Sequence, residues 1–380
     1  MAQRLKTDWI LFSTVIMMVF FGALMIYSAS SVVAEIQKGE SYYFALRQVI
    51  WIVIAIPLMM FMKRLHYRKL QTPVVAFTAM GLVMILLAAV YFLDPRQHRW
   101  IRFGPFGGLQ PSEFAKPALV LFLAYFIALR SRAINSRYTL LPGFLALGFV
   151  TMAVVVADLG TAIVLVGTAA VIFFVAGLES RYIVIAAILG TVGGAAAVAA
   201  KPYRLVRVIT YVDPQLKIVD RFDSHGWIRA QMKKSITARD TNYQQEQAKI
   251  AVGSGGPMGV GLMQGRQKLF YLPEAHTDTI FAVVGEEFGL FGSAALLIGF
   301  VVILWRGIRA TVLIPDEFGR YLALGITTML VVQAFFNMTV VLGMVPAKGI
   351  PLPMISFGGS SLLVTLASLG ILLNVAEHAG

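Results

Sequence analysis

Apolar residues recur in runs of about twenty separated by short polar stretches, the length a helix needs to cross the hydrocarbon core of a bilayer. Ten such runs can be marked: 9–29, 43–62, 73–93, 113–129, 141–157, 159–178, 182–200, 278–304, 321–342 and 359–376. Only Asp158-Leu159-Gly160 parts the fifth from the sixth. The pattern predicts an all-α polytopic membrane protein of ten transmembrane helices, with one large loop, about 201–277, between the seventh and the eighth. Residues 1–380 read as a single membrane domain. No period of 20–50 residues and no likeness between the halves is visible, which weighs against transporter folds built on repeats.

Composition agrees. Hydrophobic residues make up 58% of the 380 and charged residues 13%, and the mean hydropathy is +0.78, which excludes an ordinary soluble domain. The absence of cysteine excludes disulfides and thiolate metal sites. MAQRLKTDW runs straight into the first apolar run without a small-residue cleavage site, so that run is expected to be a retained helix. A net charge of +13 would suggest nucleic acid in a soluble protein. In a membrane protein it reads instead as inward-facing lysine and arginine plus contact with membrane lipids or phosphate, and no nucleic-acid partner is expected. Short loops on the side of the termini carry thirteen Lys/Arg and those opposite carry five. That bias puts both termini in the cytoplasm and the long loop outside. The loop's own twelve Lys/Arg do not conflict, because long loops translocate largely regardless of charge. Lys217 to Arg239 within it reads either as an amphipathic surface helix or as a mobile segment.

The richest chemistry lies in Leu262 to Gly292, where Gln267, Lys268, Glu274, His276, Thr277 and Asp278 pass without a linker into an apolar run. Charge at a membrane boundary is costly unless it faces a wet or protein-lined cavity. Thr277 is placed to cap the helix that follows and set Asp278 in its first turn, where the dipole favours an ionised carboxylate. Such a carboxylate can take a proton from a hydroxyl as general base. A capping Asp without chemistry is the plainer alternative, but Glu274 and His276 weigh against it, since capping needs one such group. A second cluster, Gln110 to Lys116, lies just past Arg99 and Arg102. There Ser112 can cap a helix, and Glu113 and Lys116, three apart, can pair on one face as a structural bridge or as part of a site. The loop's basic set (Tyr203, Arg204, Arg207, Lys249, Arg266, Lys268) suits phosphate oxygens as a group, while any single member is as readily a solvated charge.

Gly253 to Gly265 is glycine-rich but lacks the G-x-x-x-x-G-K-[ST] spacing of a phosphate loop, so it is expected to allow tight turns and close backbone approach in a re-entrant segment. PAKGIPLPMISFGGSS, Pro346 to Ser361, reads as irregular backbone lining a cavity or as a plain reversal between helices. Arg47, Asp158, Glu286 and Glu287 either pair within the bundle or line a transport path. Asn337-Met338-Thr339 matches a glycosylation pattern but falls inside a span and is set aside. No histidine cluster has metal-ligand spacing. Nothing requires a cofactor, and a divalent cation is compatible with the chemistry.

Together YSAS (27–30), RQ (47–48), RW with LQPSEFAK (99–100, 109–116), ADLGTA (157–162), YRLVRV and DP (203–208, 213–214), QAKIAVGSGG (247–256), YLPEAHTD (271–278) and PLPMISFGGSS (351–361) resemble the FtsW/RodA, or SEDS, family of bacterial cell-wall glycosyltransferases. The motifs occur in the family's order over nearly the whole chain. The resemblance implies a ten-helix protein of the bacterial cytoplasmic membrane with an extracytoplasmic active site. It further implies polymerisation of lipid II, an undecaprenyl-pyrophosphate disaccharide pentapeptide, beside a class B penicillin-binding protein that crosslinks the product. The family's essential aspartate falls on Asp278 and its helix-four carboxylate and lysine on Glu113 and Lys116. Glu274, His276, Thr277, Ser356 and Ser360 fall on other motif positions, and with Arg204, Arg207, Lys249 and Lys268 complete the expected substrate-binding set. Ala275 and Ser360-Ser361 look more like the division branch than the elongation branch, whereas Thr279 and Phe357 stand where the family usually has Phe and Tyr. A lipid II flippase or a non-catalytic scaffold for the crosslinking enzyme are the competing readings.

Overall fold

The computed structural model describes residues 7–95, 98–102, 108–212, 236–346 and 349–379, with the backbone alone at 202–203 and 236–242. The segment 217–235, much of the stretch for which two readings stand open, lies outside the described residues, and so does the side chain of Tyr203. Helices follow in the order α1 (Trp9–Lys38), α2 (Tyr43–Arg64), α3 (Pro73–Leu93), α4 (Pro111–Ala128), α5 (Arg137–Ala157), α6 (Leu159–Val175), α7 (Ser180–Ala199), α8 (Pro202–Val212), α9 (Ile236–Ser254), α10 (Ile280–Leu313), α11 (Glu317–Val341) and α12 (Gly359–His378). A two-stranded antiparallel ribbon, β1 (Ile101–Arg102) with β2 (Gly108–Leu109), joins α3 to α4 and was not legible in the apolar pattern. Among the described residues nine helices are long and apolar enough to cross a membrane. The expected sixth span is a tenth apolar helix, shorter at 17 residues. The chain is thus an all-α polytopic membrane protein.

Local chemistry sets the helix ends. Asp8 Oδ1 accepts from the Leu11 amide at 3.1 Å to start α1, Thr72 Oγ1 from Val75 at 3.3 Å before Pro73 in α3, and Asp316 Oδ2 from Gly319 at 2.9 Å in α11. These side chains satisfy amides that a first helical turn leaves open. Asp158 serves two helices at once. Its amide closes α5 on the Val154 carbonyl, and its carboxylate caps α6 through the Gly160 amide (2.9 Å) and the Thr161 hydroxyl (2.8 Å). One residue therefore suffices as the hinge between two spans.

Burial orders the bundle. The most apolar windows of α4, α11 and α12 are each 72% buried, whereas that of α7 buries nothing. Lys63 pairs with Glu377 at 2.7 Å and Arg306 with Asp8 at 2.7 Å, while the Asn374 side-chain amide donates to the Lys63 carbonyl at 2.6 Å. Both described chain ends therefore share one face. Because α10 starts two residues after Asp278 and carries Arg306 near its far end, Asp278 lies on the opposite face.

That helix is broken. Gly289 adopts φ 63° and ψ −155°, outside the helical region, and a side chain there would strike the Gly259 amide and the Gly256 and Pro257 carbonyls. A break inside a membrane strands peptide groups that no water can reach. The glycine-rich loop supplies the partners: Val260 and Gly261 amides donate to the Glu286 and Glu287 carbonyls (3.0 Å each), and Leu290 and Phe291 amides donate to Gly256 and Pro257 (2.9 and 3.3 Å). The expected close backbone approach at 253–265 is thereby explained.

Side chains of the same turn lock the loop further. Glu286 Oε1 accepts from the Arg266 and Gln267 amides at 2.7 and 3.1 Å. Glu287, with the Ser28 hydroxyl of α1 at 2.7 Å, holds the Lys268 ammonium at 2.5 Å. Lys268, expected to meet a substrate phosphate, is 3% exposed and forms a buried ion pair with Glu287. Removing one partner of such a pair leaves an uncompensated charge at a cost of about 3–5 kcal/mol. Lys268→Ala is expected to lower unfolding stability in detergent by that amount, and Lys268→Met combined with Glu287→Leu to recover most of it.

Candidate functional site

Asp278 does not stand in a first helical turn. The helix begins at Ile280 after Thr279, whose side chain makes no cap and donates instead to the Pro273 and Glu274 carbonyls at 3.0 Å. Thr277 likewise turns away, its hydroxyl donating to Glu274 Oε2 at 2.9 Å. The cap expected from Thr277 is therefore corrected: compact bonding within 273–279 delays the helix by two residues and leaves Asp278 in the turn before it.

Two polar residues of α11 hold that turn. The Asn337 side-chain amide donates to the Asp278 carbonyl at 2.8 Å and to the Ile350 carbonyl at 2.7 Å. One helical turn earlier, Gln333 donates to the Pro351 carbonyl at 2.8 Å and accepts from Lys116 at 2.5 Å, and Lys116 pairs with Glu113 at 2.9 Å. Glu113, Lys116, Gln333 and Asn337 are each at most 3% exposed. Helix spacing puts residues 333 and 337 on one face, so the ladder from α4 through α11 positions the 349–358 segment and Asp278 together. Gln333 escaped the sequence reading and Asn337 entered it only as a discarded glycosylation pattern, although two amides four apart in an apolar span were a visible signal.

The 349–358 segment is the second wall. Gly349 lies against the Asp278 carboxylate so closely that any side chain there would collide with Oδ2. Ser356, 5% exposed, donates to the Thr277 carbonyl at 2.6 Å and accepts from the Leu352 amide at 2.8 Å, and the Phe357 amide donates to the His276 carbonyl at 2.9 Å. Ser356 thus pins two segments and is placed as a brace. Ser360, 3% exposed, accepts from the Gln110 amide at 3.4 Å. Ser112 is not a cap either: α4 starts at Pro111, and Ser112 accepts from the Gln110 side chain at 2.9 Å.

Asp278 is half-buried. Beside it Gln244, Gln245 and Ala248 of α9 and Val340 and Val341 of α11 line a cavity of about 20 Å³, room for about one water. Lys249, the next residue of α9, is exposed, with its side chain lying over Gly343 at the end of α11. Arg207 is half-buried on α8. Arg204, also expected at substrate, is 5% exposed and donates to the Val155 and Ala197 carbonyls at 2.6 and 3.2 Å. The end of one helix and the last turn of another present bare carbonyls that a guanidinium satisfies. Glu274 is exposed with φ 54°. Among the described residues no group of three His, Cys, Asp or Glu side chains is placed to hold a metal ion.

His276 packs between Phe44 and Phe357, ring centroids 4.5 and 5.6 Å away. Burial lowers its pKa below the ordinary 6.5, with Glu274 opposing in part. A lowered folded-state pKa means the unfolded chain takes up the proton first, so this contribution to stability is complete above 6.5 and is lost as pH falls toward the folded value. Between about pH 7.5 and about pH 5.5, thermal unfolding of the wild type is expected to shift down more than that of His276→Phe, which keeps the ring packing and removes the titration.

Residues 8–380 match the family model FTSW_RODA_SPOVE, described as a cell cycle protein. Among curated relatives, stage V sporulation protein E of Bacillus subtilis is 36% identical over 99% of each chain. A probable peptidoglycan glycosyltransferase FtsW of Geobacter metallireducens is 36% identical over 98% of this chain and 95% of its own. Two solved structures share the architecture. One, described as structural coordination of polymerization and crosslinking by a peptidoglycan synthase complex, superposes with TM-score 0.73 at 26% identity over 99% of both chains. The other, the rod shape determining protein RodA of Thermus thermophilus, does so with TM-score 0.65 at 25% identity over 98% of this chain and 97% of that one. With a match along almost its entire length, the chain belongs to the FtsW/RodA/SpoVE family.

Proposed function

We propose that this protein is a peptidoglycan glycosyltransferase that polymerises lipid II into glycan strands on the outer face of the cytoplasmic membrane. The observation that carries this reading is a half-buried carboxylate, Asp278, in a turn that Asn337 holds by its backbone carbonyl and against which Gly349 packs. Asp278 accepts the proton of the acceptor's sugar hydroxyl while that oxygen attacks the anomeric carbon of the growing chain and the lipid diphosphate leaves. Exposed Lys249, the residue after cavity-lining Ala248, would meet leaving-group charge, the kind of transition-state electrostatics that contributes most to many enzymes. Any divalent ion would come in with the diphosphate, since such ions are commonly held by substrate phosphates and one or two carboxylates. The buried Glu113–Lys116 pair acts through Gln333 as a positioning element.

A class B penicillin-binding protein is the proposed partner, supported by likeness to a complex described as coordinating polymerization with crosslinking. The lysine and arginine bias supports cytoplasmic termini. A transport path gains no support from Glu286 and Glu287, whose carboxylates hold the 266–268 backbone and Lys268.

Purified protein given lipid II is expected to yield glycan polymer, and Asp278→Asn to lower the rate by about 100-fold or more with the thermal midpoint unchanged. Translocation of lipid II without polymer would sink the enzymatic reading. Asn337→Ala, which leaves two backbone carbonyls unpaired, is expected to reduce kcat by about tenfold while KM stays within about twofold, a displacement of Asp278 rather than lost binding.

A further inference from the structure

At the Asp278 end of the bundle, α3 and α5 part to leave an apolar groove of about 300 Å³, with Met84, Leu87 and Tyr91 on one wall and Ala153 and Val156 on the other. His98 roofs it. Its ring stacks on Tyr91 with centroids 4.4 Å apart and its Nδ1 meets the Tyr91 carbonyl at 3.1 Å, an arrangement held with the backbone at φ 53°. That conformation is uncommon outside glycine and is maintained by its surroundings.

What lies above the roof is charged. Arg99 follows His98 and reaches Asp158, two residues beyond Val156, at 3.5 Å, a distance that marks a loose pair. Its Nε is shielded from solvent and finds no hydrogen-bond partner among the described residues. A buried N–H of a permanently charged guanidinium left unpaired is costly, and an anion is the partner that relieves it. Lys201 brings a second cation to the same edge, donating to the Val156 carbonyl at 2.9 Å from a half-buried position. Bare lipid contact explains an apolar furrow. It does not explain an unpaired guanidinium N–H on the residue after His98 and an ammonium on the carbonyl of wall residue Val156.

We infer that this groove binds the polyprenyl diphosphate of the acceptor, the first isoprene units lying between α3 and α5 and the diphosphate meeting Arg99 and Lys201, while the leaving diphosphate of the growing chain meets Lys249. The inference rests on the proposed reaction, whose substrates and leaving group carry that amphiphile. The groove also connects with the reacting end through backbone and side-chain contacts: β1 and β2 lead from Arg99 to Gln110, whose amide reaches Ser360, and α4 then carries Glu113 and Lys116 into the α11 ladder. Lipid anchorage and the sugar are therefore held by one connected set of elements.

The test uses the full-length protein in phosphatidylcholine nanodiscs with a polyprenyl diphosphate that bears a diazirine in its first isoprene units. Photolabel is expected in residues 84–92 and 153–156. Ala88→Trp, at an exposed groove position whose substitution leaves the packed core alone, is expected to cut it at least about fivefold with the thermal midpoint unchanged. The matching uncharged polyprenol is expected to label the wild type at least about fivefold less than the diphosphate, and Arg99→Gln to erase that difference. Label spread equally over α1 and α10, label competed equally by phosphatidylglycerol, or equal labelling by polyprenol and diphosphate would each overturn the inference. Labelling is read without turnover, so a wild type that labels specifically and makes no glycan sinks the enzymatic reading alone. Glycan synthesis with scattered label sinks the groove alone.

Discussion

Peptide groups inside a bilayer have no water to fall back on, and the break at Gly289 makes that constraint local. Four hydrogen bonds between the 256–261 backbone and residues 286–291 answer it, which draws the glycine-rich loop into the membrane against α10. With its start fixed there, the loop continues through Arg266, Gln267 and Lys268, each held by Glu286 or Glu287. The turn holding Asp278 is the far end of this clamped strap. Its placement descends from a defect in a helix and the backbone that repairs it.

A second support meets the first from across the bundle. Gln333 and Asn337 present two amides to the carbonyls of 278, 350 and 351, so the loop before α10 and the loop before α12 close on one another. Gly349 can then approach the Asp278 carboxylate with nothing between them. Precision of this kind is easier on rigid helices than on loops, and here both loops borrow it from α11. The buried pair of Glu113 and Lys116 lies at the foot of the ladder, where a carboxylate beside it makes the ammonium tolerable.

The apolar runs made the bundle legible because membrane helices must satisfy their own backbones, and length alone then identifies them. Motif chemistry singled out Asp278, Glu113 and Lys116 as candidates. Charge by itself did not reveal the burial of Lys268 and Arg204: a lysine or arginine in a polar-looking loop looks the same in sequence whether it faces solvent, a carboxylate or bare carbonyls. Capping misled at Thr277 and Ser112, where side chains found nearer partners in their own turns. As supports for the site, Gln333 and Asn337 were overlooked because polarity within a span was sought among ionisable groups, although an amide can do as much for a buried carbonyl.

α7 is the exception to this mutual support, since no residue of its most apolar window is buried. A span with so little packing against the bundle has the freedom to answer a change in bilayer thickness by tilting. Its last turn is tied through Ala197 and Arg204 to the end of α5, and Val156 there forms one wall of the α3–α5 groove. The mechanical state of the membrane thus has a lever arm that ends at the groove's edge, and a thicker or thinner bilayer would be felt there before it reached the core.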